Sequence, residues 1–366
     1  MTKHLTKLVQ SLPATVPFVG PEHQERQRGR PFAARIGANE SVFGPSPAVV
    51  EAMHRAAPEA WMYCDPNMHD LRHALAAHHG LPVETIIIGE GIDGLFGVTV
   101  RLLVEPGDAV VTSLGAYPTF NYHVAGFGGR LVTVPFRDDH EDIDGLLAAA
   151  HEHRPKLVFL SNPDNPMGTW HSAGEVQRLI EGLPEGTILC LDEAYIEFAP
   201  DGTAPAWDVD DPRVIRFRTF SKAYGLAGMR IAYAVSHAET IAAYDRIRNH
   251  FGVNRLAQEA AIAALGDQAH LSAVVRKTAE ARGRITDIAR THGLTPIPSA
   301  TNFVTIDCGR DGAFARAVLA GLIERDVFVR MPGVAPLDRC IRVGAGRAED
   351  LDVFAEALAA TLASLC

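Results

Sequence analysis

A lysine in the second half of the chain has neighbours that suit covalent chemistry with a phosphorylated cofactor. Lys222 directly follows Ser221, and Arg230 lies eight positions later. A hydroxyl and a guanidinium both bind phosphate, and a lysine amine bonds covalently to an aldehyde. The alternative is a solvated surface lysine. The apolar segment 214–220 and the glycines around Arg230 argue against it, because they indicate a buried strand and close approach of the backbone.

Polar side chains that follow apolar strands could hold a planar ring. Asn165 lies in the loop 161–168, which two Asn-Pro steps make rigid, and its amide can donate to a phenolate oxygen. Asp192 follows the apolar segment 187–191, where a buried carboxylate needs a cation such as a protonated pyridine nitrogen. The alternatives are an ordinary turn and a helix cap. Tyr117 stacks on such a ring or is a core tyrosine.

The glycine pattern GxGxxG occurs at residues 89–94, after a predicted strand and at the start of a predicted helix. By itself this pattern is typical of a dinucleotide-binding turn. The next strand ends at 112–114 without an acidic residue that would hold a ribose, which disfavours that alternative. Because free N–H groups at a helix N-terminus bind anions, we predict that the backbone of Gly91, Ile92 and Asp93 binds one phosphate.

Strands and helices alternate from about residue 45 onward. Continuous apolar strands separated by helices indicate a largely parallel sheet, covered on both faces, with ligands at its carboxyl edge. We expect the first thirty residues to be irregular and residues 258–290 to form mostly one long helix. The other predicted helices are 47–56, 71–79, 94–104 and 348–365, and the predicted strands are 85–88, 109–112, 131–134, 157–160, 187–191, 214–217, 231–235, 302–306, 327–330 and 340–343.

The character of the chain changes after residue 250, from alternating strands and helices to an α+β pattern. We therefore predict an α/β fold with a large domain over residues 41–265. A smaller α+β domain is expected to combine residues 1–40 with residues 266–366. The large domain would contain the mostly parallel sheet and the cofactor.

The composition disfavours several classes of protein. The 366 residues are 47% hydrophobic and carry a formal net charge of -10, without a basic cluster that would bind nucleic acid. No apolar stretch reaches the roughly 18 residues of a membrane span. The five cysteines are widely spaced, and the histidines lack metal-ligand spacing, so we expect reduced thiols and no metal site. The first residues lack the apolar core of a signal peptide, which predicts a cytoplasmic protein.

Four motifs together resemble one family. Asn165 lies in N-P-x-N-P-x-G, Asp192 in D-E-A-Y, Lys222 in S-K-x-x-G-L-A-G-M-R and Arg342 in I-R-V-G. This order of motifs is similar to that of the fold-type-I pyridoxal-phosphate aminotransferases, whose fold is that of aspartate aminotransferase. Within that superfamily, the segment 37–47 and other pieces resemble the histidinol-phosphate aminotransferases most.

The resemblance implies a role for each matching residue around pyridoxal 5′-phosphate. Lys222 would bond to the aldehyde of the cofactor and later move the proton between the substrate Cα and the C4′ carbon. Asp192 would pair with the pyridine nitrogen, and Tyr117 would stack on the ring. Asn165 and Tyr195 would hydrogen-bond to the 3′ oxygen.

The resemblance also implies how the phosphate and the substrate are held. Ser221 and Arg230 would bind the cofactor phosphate together with the backbone of the glycine-rich turn. Tyr63 would reach that phosphate from a partner subunit, so the expected assembly is a homodimer. The residues expected to bind substrate are Asn39, Arg330 and Arg342.

The identity of the amino donor stays open. Histidinol-phosphate aminotransferases usually carry a tyrosine near the N-terminus that helps to hold the substrate phosphate, and Phe18 is the nearest match here. A phenyl ring cannot donate a hydrogen bond. We expect transfer of an amino group from histidinol phosphate or an L-amino acid to a 2-oxo acid such as 2-oxoglutarate. The alternatives are an aromatic aminotransferase and a related lyase or decarboxylase that acts on a phosphorylated amino acid.

Overall fold

The structure is a computed structural model that describes residues 4–13 and 19–365. The strands in this part of the chain are β1 (Ala34–Arg35), β2 (Ile86–Gly89), β3 (Ala109–Ser113), β4 (Arg130–Val134), β5 (Leu157–Ser161), β6 (Ile188–Asp192), β7 (Val214–Thr219), β8 (Ala232–Val235), β9 (Thr295–Pro296), β10 (Phe303–Asp307), β11 (Val327–Phe328) and β12 (Cys340–Gly344). The helices are α1 (Lys7–Ser11), α2 (Pro21–Arg28), α3 (Pro47–Ala56), α4 (His69–His79), α5 (Gly91–Leu103), α6 (Pro118–Gly126), α7 (Ile143–His153), α8 (Ala173–Gly182), α9 (Ala238–Tyr244), α10 (Arg255–Gly266), α11 (Gln268–Thr291), α12 (Gly312–Glu324) and α13 (Ala348–Leu365).

Seven strands form the central sheet, in the order β2-β8-β7-β6-β5-β3-β4. β8 is antiparallel to its neighbours β2 and β7, and the four other pairings are parallel. The predicted α/β fold with a mostly parallel central sheet is confirmed. Asp192, the last residue of β6, pairs with Ser161 of β5 and Phe217 of β7. This carboxyl group therefore lies at the carboxyl edge, in the middle of the sheet.

The central strands are apolar on both sides because helices cover both faces of the sheet. β2, β3 and β5 are buried along their whole length. The core on one face centres on four rings, with Phe96 meeting the other three edge-on at centroid distances of 4.9–5.5 Å. These rings belong to Phe96, Phe120, Phe159 and Phe217.

A second core forms around short strands from both ends of the chain. β1 pairs in parallel with β11, and β10 lies between β12 and β9 in an antiparallel sheet. α12, α13 and the second half of α11 pack on these strands. Leu271 and Val275, in the first half of α11, pack against the core of the large sheet instead. Because α11 contacts both cores, the domain boundaries at residues 41 and 265 stay a prediction.

Two expectations about helices were wrong. Part of the segment expected to be irregular forms the helix α2, which has Pro21 at its first position and Gly29 in the left-handed conformation at its C-cap. The single helix expected over residues 258–290 is two helices, α10 and α11. The break falls at Asp267, whose side chain accepts a hydrogen bond from the backbone N–H of His270 at 3.0 Å and caps α11.

None of the helices in the described ranges combines the length and the apolarity that a bilayer span requires. Within the same ranges, no group of three or more histidine, cysteine, aspartate or glutamate side chains is placed to hold a metal ion. The thiols of Cys64, Cys190, Cys308 and Cys340 are buried and free.

Replacing Phe159 by Ala should lower the free energy of unfolding by about 3–5 kcal/mol, because the fully buried ring leaves a cavity among its neighbours. The matched control is Phe127→Ala. The ring of Phe127 is 37% exposed, so its removal should lower the free energy of unfolding by less than about 1 kcal/mol. Denaturant titration of both variants measures the two losses. Equal losses would contradict the position of Phe159 at the centre of the core.

Candidate active site

A cavity of about 1090 Å³ opens at the carboxyl edge of the central sheet. Its walls come from the segments that follow β3, β5, β6 and β7, from the start of α5, and from the β11–β12 region of the second core. Most residues predicted to form the site line this cavity. They are Asn39, Ile92, Asp93, Tyr117, Asn165, Asp192, Tyr195, Ser221, Lys222, Arg230, Arg330 and Arg342.

Two predicted residues do not line the cavity. Gly91 lies directly beside it, because a Cβ atom added there would be 2.5 Å from Arg230 Nη2. Tyr63 lies on the surface with 80% of its area exposed, and its ring contacts that of Phe251 at a centroid distance of 5.0 Å. The structure holds a single chain, so the approach of Tyr63 to a partner's cavity stays a prediction. Phe18 lies outside the described residues.

The loop after β7 presents Lys222 to the cavity. The hydroxyl of Thr219 accepts a hydrogen bond from the backbone N–H of Ser221 at 3.0 Å, which fixes the chain just before the lysine. Just after it, Gly225 has φ of 71°, and a Cβ there would be 2.5 Å from the carbonyl carbon of Gly44. Only glycine fits this close approach. Lys222 Nζ donates to the carbonyl oxygen of Asn39 at 3.2 Å.

Asp192 is a buried carboxyl group in the lining of the cavity. Its Oδ1 accepts a hydrogen bond from the backbone N–H of Ala194 at 3.0 Å. Burial raises the pKa of Asp192 to about 7, and the positive charge of Lys222 opposes that rise. No arginine or lysine in the described part of the chain forms an ion pair with it. A cationic ring nitrogen next to this carboxyl group would keep it ionised.

Three groups converge on one corner of the cavity and form an anion cradle. The first turn of α5, a helix of 13 residues, offers backbone N–H groups that have no partner within the helix. The hydroxyl of Ser221 accepts from Thr219 Oγ1 at 2.9 Å and keeps its own proton for donation. Arg230 adds a positive charge, with its Nη2 at 3.7 Å from Asp93 Oδ2. This corner suits a phosphate group.

A contact with Arg342 fixes the orientation of the Asn165 amide. Arg342 Nη1 donates a hydrogen bond to Asn165 Oδ1. Because a guanidinium group has no acceptor, the amide oxygen must face Arg342 and the Nδ2 hydrogens face elsewhere. Asn165 lines the cavity, so this amide can donate to an oxygen within it.

A polar network at the cavity joins residues distant in sequence. Asn39 Nδ2 donates to the hydroxyl of Tyr195 at 2.9 Å, which leaves the hydroxyl proton of Tyr195 for another acceptor. Asn302 Nδ2 donates to the carbonyl oxygen of Asn39 at 3.0 Å, the same oxygen that Lys222 contacts. The sequence analysis missed Asn302 as a site residue. Its sequence signals are its position at the start of a predicted strand and the pair Asn302-Phe303, one of the pieces that resemble the histidinol-phosphate aminotransferases.

Two arginines give the cavity wall a positive charge. Backbone hydrogen bonds join Arg330 and Arg342, one in each direction, at 3.2 and 2.6 Å. Burial, together with the positive charge of Arg330, lowers the pKa of Arg342 to about 10. The Nε atom of Arg342 is buried without a hydrogen-bond partner in the described residues. A buried cation in this state needs an anion, which a carboxylate or phosphate of a substrate would supply.

Comparisons with known proteins agree with this geometry. The model of the family "Aminotransferase class I and II" matches residues 34–358. The chain therefore belongs to the class I and II aminotransferase family.

Within this family, the chain is similar to proteins named histidinol-phosphate aminotransferases. It is 35% identical over 336 residues to histidinol-phosphate aminotransferase 1 of Mesorhizobium japonicum, with 90% of each chain covered. It is 56% identical to the histidinol-phosphate aminotransferase of Sinorhizobium meliloti, solved in complex with pyridoxal 5′-phosphate, with a TM-score of 0.96 and coverage of 100% and 99%. Aspartate aminotransferase of Rhizobium meliloti, at 20% identity and a TM-score of 0.82, shares the fold, with 98% of each chain covered.

The residues of the cavity fit pyridoxal 5′-phosphate on chemical grounds. The anion cradle suits its phosphate, the buried carboxyl group of Asp192 suits a protonated pyridine nitrogen, and Lys222 is within the same cavity as both. The alternatives of an aromatic aminotransferase and of a lyase are not favoured, because the relatives described above are named histidinol-phosphate aminotransferases.

Replacing Gly91 by Ala should weaken the binding of pyridoxal 5′-phosphate by about tenfold or more. The new methyl group would meet the guanidinium of Arg230, and φ of 76° strains any other residue by about 1–2 kcal/mol. Absorbance titration of the cofactor measures the effect. Gly94→Ala in the same helix is the control, since its Cβ would meet only the flexible side chain of Glu90. An unchanged dissociation constant for Gly91→Ala would contradict the anion cradle.

Proposed function

We propose that this aminotransferase, with pyridoxal 5′-phosphate as cofactor, moves an amino group between histidinol phosphate and a 2-oxo acid such as 2-oxoglutarate, in histidine biosynthesis. The observation that carries this proposal is the pair of cavity arginines, Arg330 and Arg342. Both substrates are anionic, and each needs cations in the cavity to bind its anionic groups. The names of the relatives described above support the choice of histidinol phosphate.

The residues around Lys222 have distinct proposed roles. When bound, the cofactor supplies an aldehyde that takes the amino group and a cationic ring that withdraws electrons from the reacting carbon. The amine of Lys222 would hold the cofactor by condensing with its aldehyde, with loss of water, and the freed amine would move a proton at the Cα atom of the substrate. Asp192 keeps the ring nitrogen protonated. Tyr117 covers one face of the ring and excludes water from it.

The remaining cavity residues hold the ends of the cofactor and the substrate. Asn165 Nδ2 and the hydroxyl of Tyr195 donate to the 3′ oxygen of the ring, since both protons are available to the cavity. The cradle of Gly91, Ile92 and Asp93 with Ser221 and Arg230 holds the cofactor phosphate. Arg342 binds the anionic group next to the reacting carbon. Arg330 and Asn39 complete the substrate wall.

The assembly and the location belong to the same proposal. Tyr63 is exposed on its own chain and carries a hydroxyl that could donate to phosphate, so we place it at the cavity of a partner in a homodimer. The buried free thiols suit the reducing cytoplasm, where we place the enzyme. We propose the division into a large domain of residues 41–265 and a small domain of residues 1–40 and 266–366.

A donor screen tests the proposed substrate. With 2-oxoglutarate as acceptor, histidinol phosphate should give a kcat/KM at least about 100-fold above phenylalanine, tyrosine, histidine and aspartate, since none of these has a phosphate for the arginine pair. Formation of glutamate measures each rate. The Lys222→Ala protein should show no turnover with any donor. Faster turnover of an aromatic amino acid would contradict the proposed substrate, and turnover by Lys222→Ala would contradict the role of the lysine.

Mixing two inactive proteins tests the shared site. One carries Lys222→Ala and the other carries Tyr63→Ala, and both are unfolded and refolded together. If Tyr63 serves the partner's cavity, each mixed dimer has one site with both residues intact, so activity reappears. If Tyr63 serves its own chain, every site lacks one of the two residues. Activity no higher than that of the separate proteins would therefore contradict the homodimeric site.

A further inference from the structure

Two carboxyl groups outside the proposed mechanism lie buried behind the cavity. Glu141, between β4 and α7, is 1% exposed, and Asp164, next to Asn165, is 2% exposed. The two side chains lie within hydrogen-bonding reach of each other. Neither forms an ion pair within the described ranges. Carboxylates only accept hydrogen bonds, so a bond between two of them requires a proton on one.

Of the four carboxyl oxygens in the pair, one lacks a donor among the described residues. Glu141 Oε1 accepts from the backbone N–H of Ser161 at 2.9 Å, and Oε2 accepts from the hydroxyl of Ser113 at 2.6 Å. Asp164 Oδ2 accepts from the backbone N–H of Met167 at 2.8 Å. Asp164 Oδ1 is buried, and no N–H or O–H group of the described residues donates to it. A proton on this oxygen would complete the network.

The groups that face the pair favour a single negative charge. Burial raises the pKa of Glu141 to about 7 and raises that of Asp164 as well. The charge of Glu141 raises the pKa of Asp164 further, whereas the hydrogen bond with Asp164 lowers the pKa of Glu141, so the proton belongs on Asp164. The carboxyl group of Asp192, at the end of β6, acts in the same direction, whereas Arg342 on β12 favours the ionised form of Asp164. His171, whose Nε2 lies 2.8 Å from the carbonyl oxygen of Glu141, has a pKa lowered by burial.

We propose that Asp164 and Glu141 share one proton and that this pair positions Asn165. Through Ser113, Ser161 and the shared proton, Glu141 joins the ends of β3 and β5 to the loop 162–168. The two are positioning residues, because neither lines the cavity whereas Asn165 does. The proposal rests on the proposed function in one respect, the donation from Asn165 to the ring oxygen of the cofactor.

Two substitutions of Asp164 separate the shared proton from simple packing. Asp164→Asn keeps an oxygen for the N–H of Met167 and places a permanent N–H where the proton would lie. Asp164→Ala removes both. In the holoenzyme, Asp164→Asn should keep kcat and the cofactor dissociation constant within about twofold. Asp164→Ala should lower kcat about tenfold and raise the cofactor dissociation constant about tenfold, because the oxygens of Glu141 and the loop lose their partner.

The pH dependence of unfolding tests the proton without any reference to catalysis. The pKa of the Asp164 carboxyl group is higher in the folded state than in the unfolded chain, so wild type takes up a proton on folding and loses stability as the pH rises from about 5 toward 7. Asp164→Asn lacks this uptake, about one proton, and should gain stability relative to wild type over that range. The control is Asp144→Asn, at an exposed carboxyl group with a lowered pKa, whose difference from wild type should stay constant.

The results separate this proposal from the proposed function. A difference between Asp164→Asn and wild type that does not change with pH would overturn the shared proton. An Asp164→Ala variant that keeps kcat and the cofactor dissociation constant within about twofold of wild type would overturn the positioning role. Failure of wild type to act on histidinol phosphate bears only on the proposed function. If Asp164→Asn does not fold, Glu141→Gln places the N–H group on the other partner, and the same two measurements decide the matter.

Discussion

The burial of one carboxyl group at the centre of a parallel sheet constrains the whole site. Asp192 ends β6, and that strand has β5 on one side and β7 on the other. Water cannot stabilise its charge there, and the pKa of the group rises to about 7. A cationic ligand in the cavity would add to the charge of Lys222 and favour the ionised carboxylate. Lys222, Tyr117 and the residues Ser221 and Arg230 of the anion cradle line the same cavity as this carboxyl group.

The topology of the sheet explains how distant parts of the sequence meet. Parallel strands point their carboxyl ends to one edge, so the segments after β3, β5, β6 and β7 contribute Tyr117, Asn165, Asp192 and Lys222 to one cavity. The second core supplies Arg330 and Arg342 from the opposite side. The site therefore combines a desolvated negative charge on the sheet with two positive charges above it. A ligand with a cationic ring and anionic ends matches both.

Local chemistry made much of this site predictable from the sequence. Lys222, Asp192 and Asn165 each lie in short motifs with a direct physical meaning, and the apolar strands before them were recognisable because they are buried on both faces. Gly91 was predicted from a helix start, and its contact with Arg230 gives the physical reason for glycine. The helices α3 and α13 have the predicted bounds, since their apolar spacing and terminal signals agree.

What escaped prediction depends on contacts between distant residues. Nothing near Glu141 or Asn302 in the sequence indicates that one lies beside Asp164 and the other beside Asn39. The helix α2 was missed because its proline and glycine were taken as loop signals, although they occupy the first position and the C-cap. The break at Asp267 was missed because alanine-rich sequence continues on both sides of it.

The central claim is that the amine of Lys222 bonds covalently to the cofactor in the cavity that Asp192 defines. Borohydride reduction of the purified protein with bound pyridoxal 5′-phosphate, followed by peptide mapping, tests it most directly. The account predicts a stable pyridoxyl label on the peptide that contains Lys222, and no label there once Lys222 is replaced by Ala. A label on any other lysine, or none at all, would contradict it.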